Sequence, residues 1–103
     1  MSRVVYQPAA QQDFYDIVEF IAQDNPDRAV SFVQEIRSAC ERRAELPHAG
    51  RRCDDIAPGL LRFPHKSYII YYRMLSDGDG IRIMHIIHGA RDHERIMRQH
   101  DET

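Results

Sequence analysis

Residues 68–88 read YIIYYRMLSDGDGIRIMHIIH, and this stretch carries the clearest structural signal in the chain. Side chains alternate along residues 68–75 and again along residues 81–88, with the period of two that is typical of β-strands. Between these runs, residues 77–80 read DGDG, a composition that favours a hairpin loop. The sequence therefore predicts two antiparallel strands joined by a short connection.

Both faces of this predicted hairpin are apolar. On the first strand, Tyr68 and Ile70 alternate with Ile69 and Tyr71, so neither set is polar. Two interpretations remain open at this point. Crowded aromatic side chains fill the core of the protein, or the second face of the sheet meets a partner.

Two shorter strands are predicted nearer the N-terminus. Residues 4–6 read VVY, a β-branched and aromatic run that stops before Pro8. Residues 60–63 form a second brief run, which we expect Pro64 to end. The intervening stretch from Pro47 to Gly59 is rich in Pro, Gly and Asp, and it predicts an irregular connection.

A pair of amphipathic helices is predicted between the first two strands. Apolar residues at positions 14, 17, 18 and 21 have helical spacing, and polar residues occupy the other side. Asn25-Pro26 ends this helix and begins the next, because Asn is a favoured N-cap and Pro is tolerated at the first helical position. Leu46-Pro47 marks the end of the second helix.

The predicted element order is β-α-α-β-β-β, in one domain that spans residues 1–103. We therefore expect an α+β fold in which a helical hairpin packs on a largely antiparallel four-stranded sheet. A chain of 103 residues has room for one domain only. Residues 92–100 lack alternation, and they form either a short helix or a basic tail.

The net charge of -2 hides an asymmetry along the chain. Residues 1–36 carry a net charge of -4, whereas residues 37–100 carry +4, and thirteen of the fourteen basic residues are Arg. Guanidinium groups bind carboxylates and phosphates through paired donors. We therefore expect the binding surface for a partner in the second half of the chain. The chain contains no long apolar run and no signal peptide, which indicates a cytoplasmic protein without a membrane partner.

Most catalytic and metal sites are disfavoured by the spacing of the reactive residues. His85 and His88 are three apart on a predicted strand and should point to opposite faces, away from a shared ion. The chain has no P-loop, no dinucleotide-binding glycine motif and no nucleophile elbow. Its cysteines, Cys40 and Cys53, form no C-x-x-C pair. We expect neither a metal nor a cofactor.

One constellation survives this elimination, at the end of the last predicted strand. Residues 88–92 read HGARD, and His93, Arg95 and Arg98 follow. A histidine beside a glycine that permits a sharp turn, with Arg91 three residues on, can bind an oxyanion or supply acid–base function. The same residues can also do no more than close the strand.

The chain resembles the ParE toxins of the RelE/ParE superfamily, which are the toxin half of bacterial type II toxin–antitoxin pairs. The resemblance covers nearly the whole length and agrees with the predicted element order. The motifs that carry it are Ala10, Asp13, Ile17, Ile21-Ala22, Asp24-Asn25-Pro26, Ala29, Phe32, Leu46-Pro47, Gly50-Arg51, Pro58-Gly59-Leu60, Arg62-Phe63-Pro64, residues 68–73, Asp79-Gly80-Ile81, Ile83 and residues 88–92.

This resemblance implies a toxin that a ParD-type antitoxin neutralises in a hetero-oligomeric complex. Operator DNA would be reached only through the antitoxin. It further implies that the free toxin blocks DNA gyrase by binding and is not itself an enzyme. The residues that suit such a docking surface are Tyr71, Tyr72, Arg73, His88, Arg91, Arg95 and Arg98. We expect one of the two adjacent tyrosines to pack against the helices instead.

Two alternatives stay open within the same superfamily. The first is a RelE-type endoribonuclease that cuts mRNA on the ribosome. Its catalytic group would consist of His88, Arg91, Arg62 and Arg73. The C-terminal tail contains no tyrosine and the chain has a single lysine, Lys66, which departs from the RelE pattern. The second alternative is an inactive relic that retains antitoxin binding and autoregulation.

Overall fold

A computed structural model describes residues 2–101, with side-chain detail as far as residue 98. Its helices are α1 (Pro8–Ala22), α2 (Pro26–Glu45) and α3 (His93–Asp101), with a short 3-10 helix at Pro47–Ala49. Its strands are β1 (Arg3–Tyr6), β2 (Arg51–Arg52), β3 (Leu61–His65), β4 (Tyr68–Met74) and β5 (Gly80–His88). None of the helices described here is long and apolar enough to cross a bilayer.

The strands form one sheet in the order β1-β5-β4-β3-β2. β1 runs parallel to β5, and all other neighbours are antiparallel. The predicted α+β class and the helical hairpin on a largely antiparallel sheet are confirmed. The sheet has five strands where the sequence predicts four, because Arg51 and Arg52 pair with β3 inside the expected irregular stretch. Two residues are too few to show an alternation.

Strand β3 continues through the proline that the sequence predicts as its end. Pro64 pairs with Ile69 of β4, and the strand ends at His65. On its other side, β2 pairs only with Leu61 and Arg62, so β3 is an edge strand at Pro64. Proline is tolerated at a sheet edge because no neighbouring strand needs its missing N–H.

The two long helices begin where their capping residues indicate. Pro8 occupies the first position of α1, and the side chain of Asn25 accepts a hydrogen bond from the amide of Arg28 at 3.0 Å. Apolar residues of both helices pack on one face of the sheet, which we call the hairpin face. This core includes Phe14, Ile17, Phe32, Ile36, Ile70, Tyr72, Ile81 and Ile83.

The opposite face of the sheet, which we call the distal face, is partly covered by the chain itself. Tyr71 and Ile87 pack there with Leu60 and with Met97 of α3. Residues 93–101 form α3, so the helix alternative predicted for residues 92–100 is correct. Residues 102–103 lie outside the part of the chain that the structure describes. A register shift at Tyr71 and Tyr72 breaks the strict alternation of β5. The second apolar face thus holds a small core of its own.

Candidate functional site

The site is centred on the turn that follows β5. The amide of Gly89 donates to the carbonyl of Ser67 at 2.8 Å, and the amide of Arg91 donates to the carbonyl of His88 at 3.1 Å. These bonds hold His88 at the exposed end of the strand. Its ring stacks edge-on against Tyr68, with the centroids 5.3 Å apart. The predicted constellation is therefore an ordered turn at the protein surface.

The neutral ring of His88 has a defined tautomer. Its Nδ1 accepts a hydrogen bond from the amide of Ala90 at 3.2 Å, so in the neutral form the proton sits on Nε2. The ring thus presents a donor at Nε2. This arrangement suits binding to an acceptor better than proton abstraction by Nδ1.

A cleft of about 420 Å³ lies between α1 and the end of β5, and we call it the α1 cleft. Asp13 and Asp16 of α1 line one side, whereas His88 and Arg91 line the other. Phe20 adds an apolar group that is 72% exposed. The remaining lining residues are Ile17, Tyr68 and Ile86. This cleft therefore combines an acidic wall, a basic wall and an apolar floor.

A second cleft of about 620 Å³ opens on the distal face, and we call it the Arg51 cleft. Its arginines are Arg51, Arg62 and Arg91, so Arg91 borders both clefts. Three acids, Asp55, Asp92 and Glu94, also line it. The apolar and aromatic lining consists of Ile56, Phe63, Pro64, Ile69 and Tyr71.

A buried tyrosine links two walls of the Arg51 cleft. The hydroxyl of Tyr71 lies 2.8 Å from Nδ1 of His93, and Nε2 of His93 donates to the carbonyl of His88 at 2.8 Å. Because a carbonyl only accepts, Nε2 carries the proton and Nδ1 of the neutral ring accepts from Tyr71. A hydrogen bond to Tyr71 also raises the pKa of Arg62 above its usual range.

The structure separates the arginines of the predicted docking surface into engaged and available groups. Arg73 donates through Nη1 to the carbonyl of Pro58, which ties it to the loop before β3. Arg98 lies 3.6 Å from Glu94 on the exposed side of α3. Arg91 and Arg95 are exposed, and among the residues described their side chains have no hydrogen-bond or ion-pair partner.

The two adjacent tyrosines of the predicted docking surface both lie inside the protein. Tyr71 and Tyr72 are both 0% exposed, on opposite faces of β4. Tyr72 lies under the helical hairpin, as the sequence predicts for one member of the pair. Tyr71 lies under α3 and the segment before β3, whose covering role the sequence did not reveal. Neither side chain is available for docking in this fold.

The alternative catalytic group is only partly assembled. Arg62 and Arg91 line the Arg51 cleft, whereas His88 and Arg91 line the α1 cleft and Arg73 lies at neither. The sequence analysis did not name Arg51 as a site residue, because the position of Arg51 in the cleft depends on the two-residue strand β2. Among the side chains that the structure describes, residues 2–98, no three His, Cys, Asp or Glu side chains are grouped so that they could hold a metal ion.

Comparison with known proteins identifies the family. Residues 4–93 match the model of the ParE toxin of type II toxin–antitoxin systems, parDE. Proteins named Toxin ParE1 from two strains of Mycobacterium tuberculosis are 32% identical over 87 residues, which is 82% of this chain and 89% of each relative.

A solved structure shares the fold. It is described as a chromosomal ParDE TA system from P. aeruginosa, and it superposes with a TM-score of 0.69 at 20% identity. The match covers 85% of this chain and 96% of that chain. Together with the family model that spans most of its length, these similarities establish that the chain belongs to the ParE toxin family of type II toxin–antitoxin systems.

Proposed function

We propose that a ParD-type antitoxin neutralises this ParE-family toxin in the cytoplasm, and that the free toxin inhibits DNA gyrase by binding. In this proposal the toxin makes and breaks no covalent bond. The family match and the Toxin ParE1 relatives support the toxin role. The solved neighbour is described as a ParDE system, which supports an antitoxin partner for this chain.

The observation that carries the proposal is the cationic surface at the end of β5. We call it the Arg91 rim, and it consists of His88, Arg91, Arg95 and Arg98. All four residues are exposed. Arg91 and Arg95 make no side-chain hydrogen bond or ion pair with the residues described, so their charges are available to a partner.

An apolar neighbour completes the features of a docking surface. Phe20 is exposed on α1 and lines the same cleft as His88 and Arg91. Protein interfaces derive most of their affinity from a few aromatic and arginine residues surrounded by weaker contacts. The combination of Phe20 with the Arg91 rim therefore suits binding to a large protein and requires no general base.

Inhibition of purified gyrase tests the proposal directly. Relaxed plasmid is incubated with gyrase, ATP and the purified toxin, and supercoiling is followed on an agarose gel. We expect Arg91→Ala to raise the concentration needed for half inhibition roughly tenfold, as for a charged interface contact. Arg52→Ala is the matched control, because it removes the same charge from a residue paired with Asp54 at 2.9 Å.

Four results would contradict the proposal or a part of it. Full supercoiling with the wild-type toxin would exclude gyrase as the target. Intact supercoiling with cleaved mRNA in a translation extract would favour the RelE-type nuclease. Neither effect, with retained binding of a co-expressed antitoxin, would favour the inactive relic. Equal inhibition by Arg91→Ala and wild type would leave gyrase as target and remove Arg91 from the docking surface.

A further inference from the structure

A third cleft lies between the two long helices, beside the edge strand β1. It has a volume of about 460 Å³, and we call it the α1–α2 groove. Its lining consists of Tyr6, Gln11, Phe14, Tyr15, Val18, Val33 and Arg37. The Arg91 rim and the other two clefts are built from different residues. The groove is therefore a feature that the proposed function does not use.

The charge of this groove comes from Arg37 on α2. Among the described residues that line the groove, Arg37 is the only charged one. Across residues 2–98, its guanidinium forms no ion pair or hydrogen bond, and Glu41, one turn further along α2, lies outside the lining. The α1 cleft and the Arg51 cleft differ, because each places acids beside its arginines. The α1–α2 groove alone of the three thus favours an anion by its charge.

Two aromatic rings hold the guanidinium of Arg37 in place. Its central carbon lies 5.3 Å from the ring centroid of Tyr6 and 5.1 Å from that of Phe14. Stacking of this kind uses the flat face of a guanidinium and leaves the N–H donors at its edge free. An ordered guanidinium also loses less conformational entropy on binding a ligand than a mobile one does. Arg37 is therefore a preorganised donor at the protein surface.

The remaining lining offers apolar surface to the body of a ligand. Val18 and Val33 are half-buried, and the side chain of Tyr15 is 69% exposed. The side-chain amide of Gln11 donates to the carbonyl of Tyr6 at 3.1 Å, so this polar group is already engaged by the protein. A ligand that covers the apolar side chains removes their surface from water, which favours binding.

The dimensions of the groove indicate the size of that body. The lining residues of α1 run from Gln11 to Val18, which spans about 10 Å at 1.5 Å per residue. An extended chain of about eight carbons has a similar length, because C–C bonds measure about 1.5 Å. Arg37 already covers the rings of Tyr6 and Phe14, so a flat aromatic ligand finds less open ring surface than a flexible chain needs.

We propose that the α1–α2 groove binds a free aliphatic monocarboxylate of about eight carbons. The carboxylate accepts paired hydrogen bonds from the edge of the Arg37 guanidinium, and the chain lies along Tyr15, Val18 and Val33. The inference goes beyond the proposed function, because it stands whether or not gyrase is the target.

The single cation favours a monocarboxylate over more highly charged ligands. One guanidinium neutralises one negative charge and matches the planar geometry of a carboxylate. A nucleic-acid strand presents successive phosphates and gains affinity from several basic side chains, whereas this lining provides Arg37 alone among the residues described. The ligand class therefore follows from the charge count together with the apolar lining.

The test uses the full chain and three small molecules at neutral pH. Octanoate is the probe, octanamide has the same chain without the charge, and acetate has the charge without the chain. Two-dimensional NMR titrations give both the affinity and the location of binding. We expect octanoate to saturate the protein with a Kd below about 1 mM. Octanamide should bind roughly tenfold more weakly, and acetate roughly a hundredfold more weakly or worse.

Variants then assign the binding to the groove. Arg37→Met keeps an unbranched side chain over the two rings and removes the charge, so it should weaken octanoate roughly tenfold and leave octanamide unchanged. Arg42→Met is the matched control, because Arg42 is exposed on the same helix and lies outside the lining. Tyr15→Ala should weaken octanoate and octanamide by the same factor, roughly threefold.

Shifts on addition of octanoate should be centred on residues 11–18 and 33–37. The inference is wrong if octanamide binds as tightly as octanoate, if octanoate fails to saturate, or if the shifts are confined to the other two clefts. Equal loss of octanoate and octanamide in Arg37→Met would remove the carboxylate contact, and so would equal effects of Arg37→Met and Arg42→Met. Because the groove shares no residue with the Arg91 rim, this test and the supercoiling test fail independently.

Discussion

The carboxylate of Asp13 on α1 lies 2.9 Å from Nδ1 of His85 on β5. A carboxylate accepts only, so Nδ1 of His85 carries the proton. The same oxygen of Asp13 also accepts from the amide of Ile86 at 2.8 Å. One side chain of the first helix thus binds the last strand just after the register shift, where the backbone departs from regular pairing.

Replacement of Asp13 should therefore destabilise the protein. We expect Asp13→Ala to lower the free energy of unfolding by about 2–4 kcal/mol, because the buried amide of Ile86 loses its acceptor. Asp16→Ala is the control, since Asp16 is exposed one turn along and should cost about 0.5 kcal/mol or less. Urea denaturation measures both values, and similar losses for the two variants would refute the role given to Asp13.

Tyr72 and Gly50 form a close contact that should be visible in a double-mutant cycle. The hydroxyl of Tyr72 donates to the carbonyl of Pro47 at 2.7 Å, and a Cβ added to Gly50 would lie 2.1 Å from that hydroxyl oxygen. We expect Gly50→Ala to cost about 2–3 kcal/mol through overpacking and Tyr72→Phe about 1–2 kcal/mol. The double variant should lose less than both together, because removal of the hydroxyl opens space. Additive losses would contradict this contact.

The buried thiol of Cys40 should make stability fall in alkali. Burial raises the pKa of Cys40 from 9.0 to about 11. The folded state therefore holds this proton more tightly than the unfolded state, so stability is retained below the unfolded pKa and is lost as the pH rises through the folded one. The loss at full ionisation is about 2–3 kcal/mol.

A comparison with Cys40→Ala isolates this effect. Urea denaturation under reducing conditions, from about pH 8 to about pH 11, gives the unfolding free energy of both proteins. The other titrating groups are present in both proteins, and Cys40 also helps to raise the pKa of Tyr6. The wild type should therefore show an additional alkaline loss that reports Cys40 together with its coupling to Tyr6. Parallel pH profiles would show that the ionisation of Cys40 is not linked to folding.

Met97 should be the principal contact by which α3 covers the distal face. Its side chain is 3% exposed and belongs to the cluster that contains Tyr71 and Ile87. We expect Met97→Ala to cost about 2–3 kcal/mol and to accelerate hydrogen exchange in α3. Arg98→Ala, at the next and exposed position, should change stability by about 0.5 kcal/mol or less. Unchanged exchange in Met97→Ala would mean that other contacts hold the helix.

Periodicity predicts the main elements because it depends on neighbours along the chain. The spacing of Phe14, Ile17 and Ile21 identifies α1 from sequence alone, and Asn25-Pro26 identifies the start of α2. Strand β2 escapes this reasoning because it holds only two residues and exists through pairing with β3. The same limit explains why the sequence wrongly predicts that β3 ends before Pro64. Proline is tolerated there because β2 does not extend as far as that residue, and only the strand pairing shows this.

The candidate site was predictable only in part. Residues 88–91 stand out in the sequence as a histidine and an arginine beside a glycine, and the structure places them at an exposed turn. The pairing of Arg51 with Arg62 could not be predicted, because eleven positions separate them in the chain and β2 had no sequence signal. The burial of Tyr71 likewise depends on a helix that follows much later.

By itself, the sequence determined the two long helices and the approximate positions of β1, β3, β4 and β5, since local spacing of apolar residues and capping residues carry that information. Tertiary structure alone decided which face each strand buries, which arginines are engaged and which cations meet in one cleft. The physical reason is that burial and charge proximity depend on packing between distant segments. A short strand, a register shift or a covering helix changes burial and charge proximity, but it produces no periodic pattern in the sequence.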